Sequence, residues 1–414
     1  MKNKSFLSTL GPGILFAGAA IGTSHLVQST RAGASFGLGL LFVILFANFI
    51  KYPFYRFGPL YTVATGNSIL QGYRSLGRWA LALLIATELP VNVIIVAATS
   101  LVTSSIALSV FNLEIDVVHL ASILILLAFA LISFGGYKFI DRSTKLFVGT
   151  LTVCTFVATV LTIPSVNWSL SNFALPIIDT KTLAFLLALI GFMPAGISLA
   201  IMHSIWTVEK SKMSGHRATK SEAMLDLNIG YIGSAVLAVC FVIMGAGTLY
   251  ENQIELSANP GLFAGQVISL YSRTLGAWAG IVVGISVFAV MISTLLTTLD
   301  GFSRLHSEAL NQIVSSNDID RSDSNFKDMQ RPMMAIIGIS AILVLLLFMT
   351  SFRAFIDFVT ITAFIVGPVI AILNHVVMHS KNVPTNLQPT LVMSIWSILG
   401  VLFLLILSGV YLFS

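Results

Sequence analysis

The chain is 414 residues long, 56% hydrophobic and only 9% charged, with a mean hydropathy of +0.94 and a formal net charge of +5. Soluble domains carry about 25% charged residues, so this composition excludes a soluble globular protein and points to an integral membrane protein. The basic residues sit in particular loops, which argues against nucleic-acid binding, and Cys154 and Cys240 each fall in an apolar stretch, which argues against a disulfide framework.

The opening MKNKSFLSTL leads directly into a full-length apolar stretch without a cleavage site, so no separable signal peptide is expected. Stretches of about 20 apolar residues predict eleven membrane-spanning helices. They lie at 11–33, 37–60, 78–107, 117–135, 144–164, 182–208, 224–249, 274–303, 332–350, 354–377 and 389–413. The connections are short, and the longest, 304–331, has a polar core. Residues 1–414 therefore read as a single all-α transmembrane domain.

Span one carries AAIGTSHLVQS at 19–29, with Gly22, Thr23, Ser24 and His25 near mid-span. The first three weaken a helix and the fourth is polar, and interrupted spans occur where backbone groups line a polar cavity. Span two places Lys51 near its centre, on one face with Asn48 and Tyr55. Span three places Glu88 on a face continued by Asn92, Thr99 and Thr103. Charges inside a membrane are rare and are paired or functional. Lys51 and Glu88 fall at similar depth, and two readings stand: a structural ion pair, or a proton-carrying Glu88 tuned by Lys51.

Span six holds a second interruption, Met193-Pro194-Ala195-Gly196. Pro194 removes a helical donor and obstructs the preceding turn, while Gly196 relaxes the backbone beside it. Span eight carries Ser293 with Thr297 and Thr294 with Thr298 at i, i+4, and Asp300 near its end, close to Arg304. These hydroxyls read either as a Na⁺ site or as helix packing. Thr360 and Thr362 of span ten are candidates to face a cavity.

Interruptions in spans one and six fit two five-helix repeats of opposite topology, about 11–164 and 182–377, followed by an extra helix at 389–413. Half-helix ends would then surround a binding site at the midplane. Its candidate lining is Gly22, Thr23, Ser24, His25, Met193, Pro194, Ala195, Gly196 and Thr360. With the N-terminus in the cytoplasm, sixteen of the 22 Lys and Arg fall in inside segments and four outside. Lys51 and Arg56 lie in or near span two. This bias predicts a plasma (cytoplasmic) membrane protein with its C-terminus outside.

The stretch GPGILFAGAAIGTSHLVQSTRAGASFGLGLLFVILFANFIKYPFYRFGPLYTVATG resembles the opening of the NRAMP divalent-metal transporters. The shared features are Gly11-Pro12-Gly13, Ala32-Gly33-Ala34, a leucine-rich second span and Ala64-Thr65-Gly66. Met193-Pro194 and the run from Ser293-Thr294 to Thr297-Thr298-Leu299 are similar too. The resemblance implies a LeuT-type fold and secondary-active import of a divalent transition-metal cation, of the Mn²⁺ or Fe²⁺ type, with protons. The family's Asp-Pro-Gly-Asn metal motif aligns with Gly22, Thr23, Ser24 and His25, so the carboxylate is missing here, and its Met-Pro-His becomes Met193-Pro194-Ala195.

His25 and the Met193 thioether remain candidate ligands for a softer transition metal, and they suit Mg²⁺ or Ca²⁺ poorly. The other readings of His25 are a pH-sensitive coupling role and a structural hydrogen-bonding one. The alternative cargo is an amino acid or other small organic solute carried with Na⁺ or H⁺, its carboxylate held by half-helix N-termini. No Walker, kinase or zinc-protease motif is present, so no enzymatic activity and no cofactor are expected.

Overall fold

The computed structural model describes residues 11–134, 137–257, 259–314, 323–349 and 351–413, which are helices and their connections with no strand among them. In chain order these are α1 (Pro12–Ala20), a π-helical continuation (Ile21–Ser29), α2 (Thr30–Phe36), α3 (Leu41–Thr65), α4 (Ile69–Leu76) and α5 (Arg78–Phe111). Then come α6 (Val117–Ser133), α7 (Tyr137–Thr162), α8 (Thr180–Gly191), α9 (Leu199–Ser214) and α10 (Lys220–Gly245). The remainder are α11 (Pro260–Leu275), α12 (Ala277–Val314), α13 (Asp323–Phe348), α14 (Phe352–Met378) and α15 (Leu391–Phe413).

Among the described residues, seven helical segments are long and apolar enough to cross a membrane, while α6 and α8 are apolar but shorter. Their outward faces carry the large apolar residues, such as Phe42, Phe46, Leu126, Leu347 and Ile406, and their polar side chains point inward. This is the arrangement expected where lipid rather than water is the solvent.

The starts and stops follow from local chemistry. Asp116 caps α6 by accepting from the Val118 and His119 amides. Asp179 caps α8, and the Thr182 amide that it accepts from holds its carboxyl below the usual range. Thr219 and Glu222 form a reciprocal capping box on α10. Gly66 and Asn112 end α3 and α5 in the left-handed conformation.

The structure departs from the sequence expectation in three places. Helix α12 continues past residue 303 to Val314, into the predicted connection, because Leu305, His306 and Ala309 still face the core. Helix α11 was a predicted loop: Asn259 and Pro260 start it, and Phe263, Ala264, Val267, Leu270 and Tyr271 bury one face. Its apolar residues form a stripe rather than a run, so a hydropathy window passes over it. The short α4 is missed for the same reason.

Both helical parts of span one lie on α10 with almost no side chain between them. A Cβ on Gly13 would stand 1.9 Å from the Asp226 carbonyl oxygen, and one on Gly33 would stand 2.1 Å from that of Val242. Glycine is required at these contacts because the backbones touch.

Candidate functional site

Two segments that are not regular α-helix meet in the middle of the bundle. In the first, Gly22 adopts φ −59 and ψ −123, outside the helical region, within the π-helical stretch that joins α1 to α2. In the second, residues 192–198 form turns between α8 and α9, with a cis Met193–Pro194 bond. Backbone groups freed in both places need partners, since no lipid can satisfy them.

Those partners come from neighbouring helices. Lys51 Nζ on α3 donates to the Gly191 carbonyl at the end of α8 (3.1 Å), where a cation also meets the negative end of the helix dipole. One turn further along α3, the Tyr55 hydroxyl donates to the Ala195 carbonyl. Ser24 Oγ stands within hydrogen-bonding reach of the Ala20 carbonyl, the Pro194 carbonyl (3.1 Å) and His25 Nδ1 (2.6 Å), so it ties the two irregular segments together. On α12, the Thr294 hydroxyl donates to the Gly18 carbonyl (2.8 Å), and its methyl group lies 2.9 Å from where a Cβ on Gly22 would stand.

A cavity of about 40 Å³ lies between these segments. Its polar lining is Ser24, Thr99, Ser198, Thr294 and Thr298, with Ala195 and Gly196 from the second irregular segment. Phe192, Met202 and Phe302 supply apolar walls. Among the described residues no group of three or more His, Cys, Asp and Glu is placed to hold a metal ion.

Several residues singled out in the sequence are not at this cavity. His25 is fully buried, and its two ring nitrogens face the Ala20 carbonyl (2.7 Å) and the Ser234 carbonyl (2.9 Å), so it stitches span one to α10 instead of presenting a ligand. Met193 is buried in the core and does not line the cavity. Pro194 contributes only its carbonyl, to Ser24. Thr23 belongs to the irregular stretch, and its side chain lies outside the described ones. Ser293 and Thr297 are buried away from the cavity, and Thr298 donates back to Thr294 (2.8 Å) within its helix.

No ion pair joins Lys51 to Glu88 among the described residues; Lys51 donates to the Gly191 carbonyl instead. Glu88 is buried with Ser198 against its carboxyl group, and its Oε2 has no hydrogen-bond partner. Asp300 is fully engaged, with Oδ2 on Arg304 Nε (2.8 Å) and Oδ1 on Gln330 Nε2 (2.8 Å).

Two further carboxylates, the buried Asp226 and the half-buried Asp357, hold the ends of span one. At the α2 end, Asp357 of α14 receives a two-pronged ion pair from Arg31, at 2.6 and 3.2 Å. Gln28 joins them by accepting from Arg31 (3.0 Å) and donating to Thr360 (3.3 Å), and the Arg31 guanidinium lies over the Phe185 ring. Thr360 thus belongs to this cluster and not to the cavity. At the α1 end, Asp226 of α10 accepts from the Gly11 and Gly13 amides (2.9 and 2.7 Å), with His203 Nε2 at 3.6 Å. Both acids fall within predicted spans, so a search for every intramembrane charge would have found them.

Open depressions lie at both ends of span one, and the Asp226 cluster lines one of them. One of about 630 Å³, lined by Glu251, Glu255 and Arg353 among others, lies beside α2, and one of about 270 Å³, lined by Pro12, Lys210, Glu222 and Asp226 among others, lies beside α1.

Comparison with known proteins agrees on the fold. The family model described as natural resistance-associated macrophage protein-like (Nramp) matches residues 13–414. A Pasteurella multocida protein, PM0681, is 31% identical over 379 residues, covering 89% of this chain and 84% of its own. The divalent metal cation transporter MntH of Staphylococcus aureus is 25% identical over 327 residues, covering 73% of this chain and 71% of its own. Among solved structures, a mutant of the Eremococcus coleocola manganese transporter superposes with a TM-score of 0.68 at 13% identity, over 99% of this chain and 88% of that one. MhsT in complex with L-phenylalanine superposes with a TM-score of 0.64 at 15% identity, over 97% of both chains.

Proposed function

Because the chain belongs to the Nramp family, we propose that it is a secondary-active transporter importing a divalent transition-metal cation, of the Mn²⁺ or Fe²⁺ type, with protons. The reading takes the eleven predicted spans as two five-helix inverted repeats plus one helix, with spans one and six broken at the cavity and the N-terminus inside.

The observation that carries the cargo is the size of the central cavity. A volume of about 40 Å³ holds roughly three waters at 10–15 Å³ each. That is room for a cation with part of its hydration shell, so the size supports a metal ion as cargo. The oxygens available to it are the Ser24, Ser198, Thr294 and Thr298 hydroxyls, with the Met202 thioether nearby. Hard oxygen and soft sulfur together suit a first-row transition metal.

No carboxylate lines the cavity. Glu88, against the cavity residue Ser198, is the acid available to compensate charge or hold a proton. Protons are favoured over Na⁺ because Glu88 is a buried carboxyl able to take one up, whereas Ser293 and Thr297 stand away from the cavity. Alternating access follows from the two clusters at the ends of span one: the Arg31–Asp357 pair closes the outer mouth, and the Asp226 clamp closes the inner one.

The test is uptake of Mn²⁺ into proteoliposomes containing the purified chain, under an inward proton gradient, with amino acids as competitors. Gradient-stimulated Mn²⁺ uptake unaffected by amino acids is expected. Uptake of an amino acid without any Mn²⁺ flux would overturn the cargo assignment.

A further inference from the structure

One wall of the cavity is made where α9 and α12 meet, and a contact there depends on a missing side chain. Met202 of α9 lines the cavity and is only 1% exposed. A Cβ on Gly301 of α12 would stand 2.0 Å from the Met202 Cε, 3.3 Å from its Sδ and 3.5 Å from its Cγ. The terminal methyl of Met202 therefore sits in a notch that exists because residue 301 has no side chain.

This glycine serves a different purpose from those of span one. Gly13 and Gly33 admit backbone, the Asp226 and Val242 carbonyls, whereas Gly301 admits the end of a flexible side chain. Methionine is unbranched and adaptable, so it can turn its end into such a gap. Across the cavity, Thr294 has its methyl against Gly22 in a similar way, but its hydroxyl is anchored on the Gly18 carbonyl.

Both helices are held on either side of the notch. On α12, Asp300 is tied to Arg304 and Gln330, and Phe302 is itself a cavity wall. On α9, two residues beyond Met202, the Ser204 hydroxyl bonds Thr62 Oγ (2.9 Å) and accepts from the Ile69 amide (2.7 Å). A side chain at position 301 would therefore displace the Met202 methyl before it moved either backbone. Protein interiors are close-packed, so the space open to an evicted methyl is the cavity that Met202 already borders. A methyl group is about as large as a water molecule, and the cavity of about 40 Å³ holds roughly three waters. Its entry would take about a third of the room left for the cargo.

We propose that Gly301 is a specificity-determining residue: the notch left by its missing side chain stores the Met202 methyl and keeps the cavity wide enough for a cation with part of its hydration shell. The proposal rests on the metal-transport reading above.

The experiment measures Mn²⁺ uptake into proteoliposomes by the full chain and by Gly301→Ala, Met202→Ala and the double variant. Gly301→Ala is expected to lower uptake roughly tenfold, a coupling of the size found between touching residues. In the Met202→Ala background, where no methyl is left to evict, the same substitution is expected to cost nothing beyond Met202→Ala alone. With isotopically labelled methionine methyls, the Met202 resonance, assigned by its loss in Met202→Ala, is expected to move in Gly301→Ala. Wild-type uptake that Gly301→Ala leaves unchanged, or equal losses in both backgrounds, overturns the notch as a determinant of cavity size and leaves the transport reading standing. No Mn²⁺ uptake by wild type overturns the transport reading, and the methyl resonance then decides the notch: if it does not move, the notch falls too. If Gly301→Ala does not fold, the double variant is expected to fold, and its failure to do so overturns the proposal.

Discussion

Replacing Asp357 with Asn keeps the size of the side chain and removes its charge. In the wild-type protein the carboxylate holds the Arg31 guanidinium by two contacts, 2.6 and 3.2 Å, with Arg31 only 5% exposed and Asp357 27% exposed. Removing one partner of a fully buried ion pair costs about 3–5 kcal/mol. Because Asp357 is more than a quarter exposed, solvent screens part of the interaction, and about 2 kcal/mol is a fair discount. If that energy holds α2 against α14, its loss raises the population open at the outer mouth about thirtyfold. Gln28 Oε1, 3.0 Å from Arg31, keeps the loss from being larger. The assay is labelling of Ala195→Cys, in a background with Cys154 and Cys240 replaced by Ala, by a membrane-impermeant maleimide added outside. Faster labelling is expected in Asp357→Asn and in Arg31→Gln. Equal or slower labelling in both variants would refute the assignment of this pair as the outer closure.

At the other end, Asp226→Asn loses the charge that faces the Gly11 and Gly13 amides and His203. Charge-assisted bonds to a helix start are worth about 1–2 kcal/mol, so hydrogen exchange in the peptide that begins at Gly11 should quicken about tenfold. Gly33→Ala forces a methyl group against the Val242 carbonyl and should cost several times the ~1 kcal/mol of an ordinary substitution, read as a lowered melting temperature in detergent. Gly149→Ala, inside α7 where nothing lies within 4 Å, is the matched control and should leave that temperature no lower.

The membrane class and the position of the cavity were legible in the sequence, for physical reasons. Helix-weakening residues at Gly22 and at Pro194 to Gly196 are costly inside a span, and the cavity is lined from those stretches by Ser24, Ala195 and Gly196. Thr294 and Thr298 were found because a hydroxyl pair at i, i+4 marks a face, but pairing alone could not say which of the two pairs turned inward. His25 was read as a possible ligand because its neighbours are small and polar. Its direction depends on the Ser234 carbonyl of α10, and a backbone acceptor leaves no trace in sequence. The same holds for Lys51, whose partner is the Gly191 carbonyl and not an acid. His306 lies beyond the predicted end of span eight, so its contact with the Asn92 amide was invisible.

The bonds around the irregular segments also define what can move. Span two grips span six through Lys51 and Tyr55, span seven grips span one through Asp226 and the glycine contacts, and Tyr231 of span seven donates to the Asn48 carbonyl of span two. These four spans are cross-braced into one chassis, while its seams with α12 and α14 are sewn by Thr294 to Gly18, Arg31 to Asp357, Gln28 to Thr360 and Asn374 to the Phe54 carbonyl. A rocking chassis would unpick only the seams, so cargo could be passed across without dismantling the interior that surrounds it.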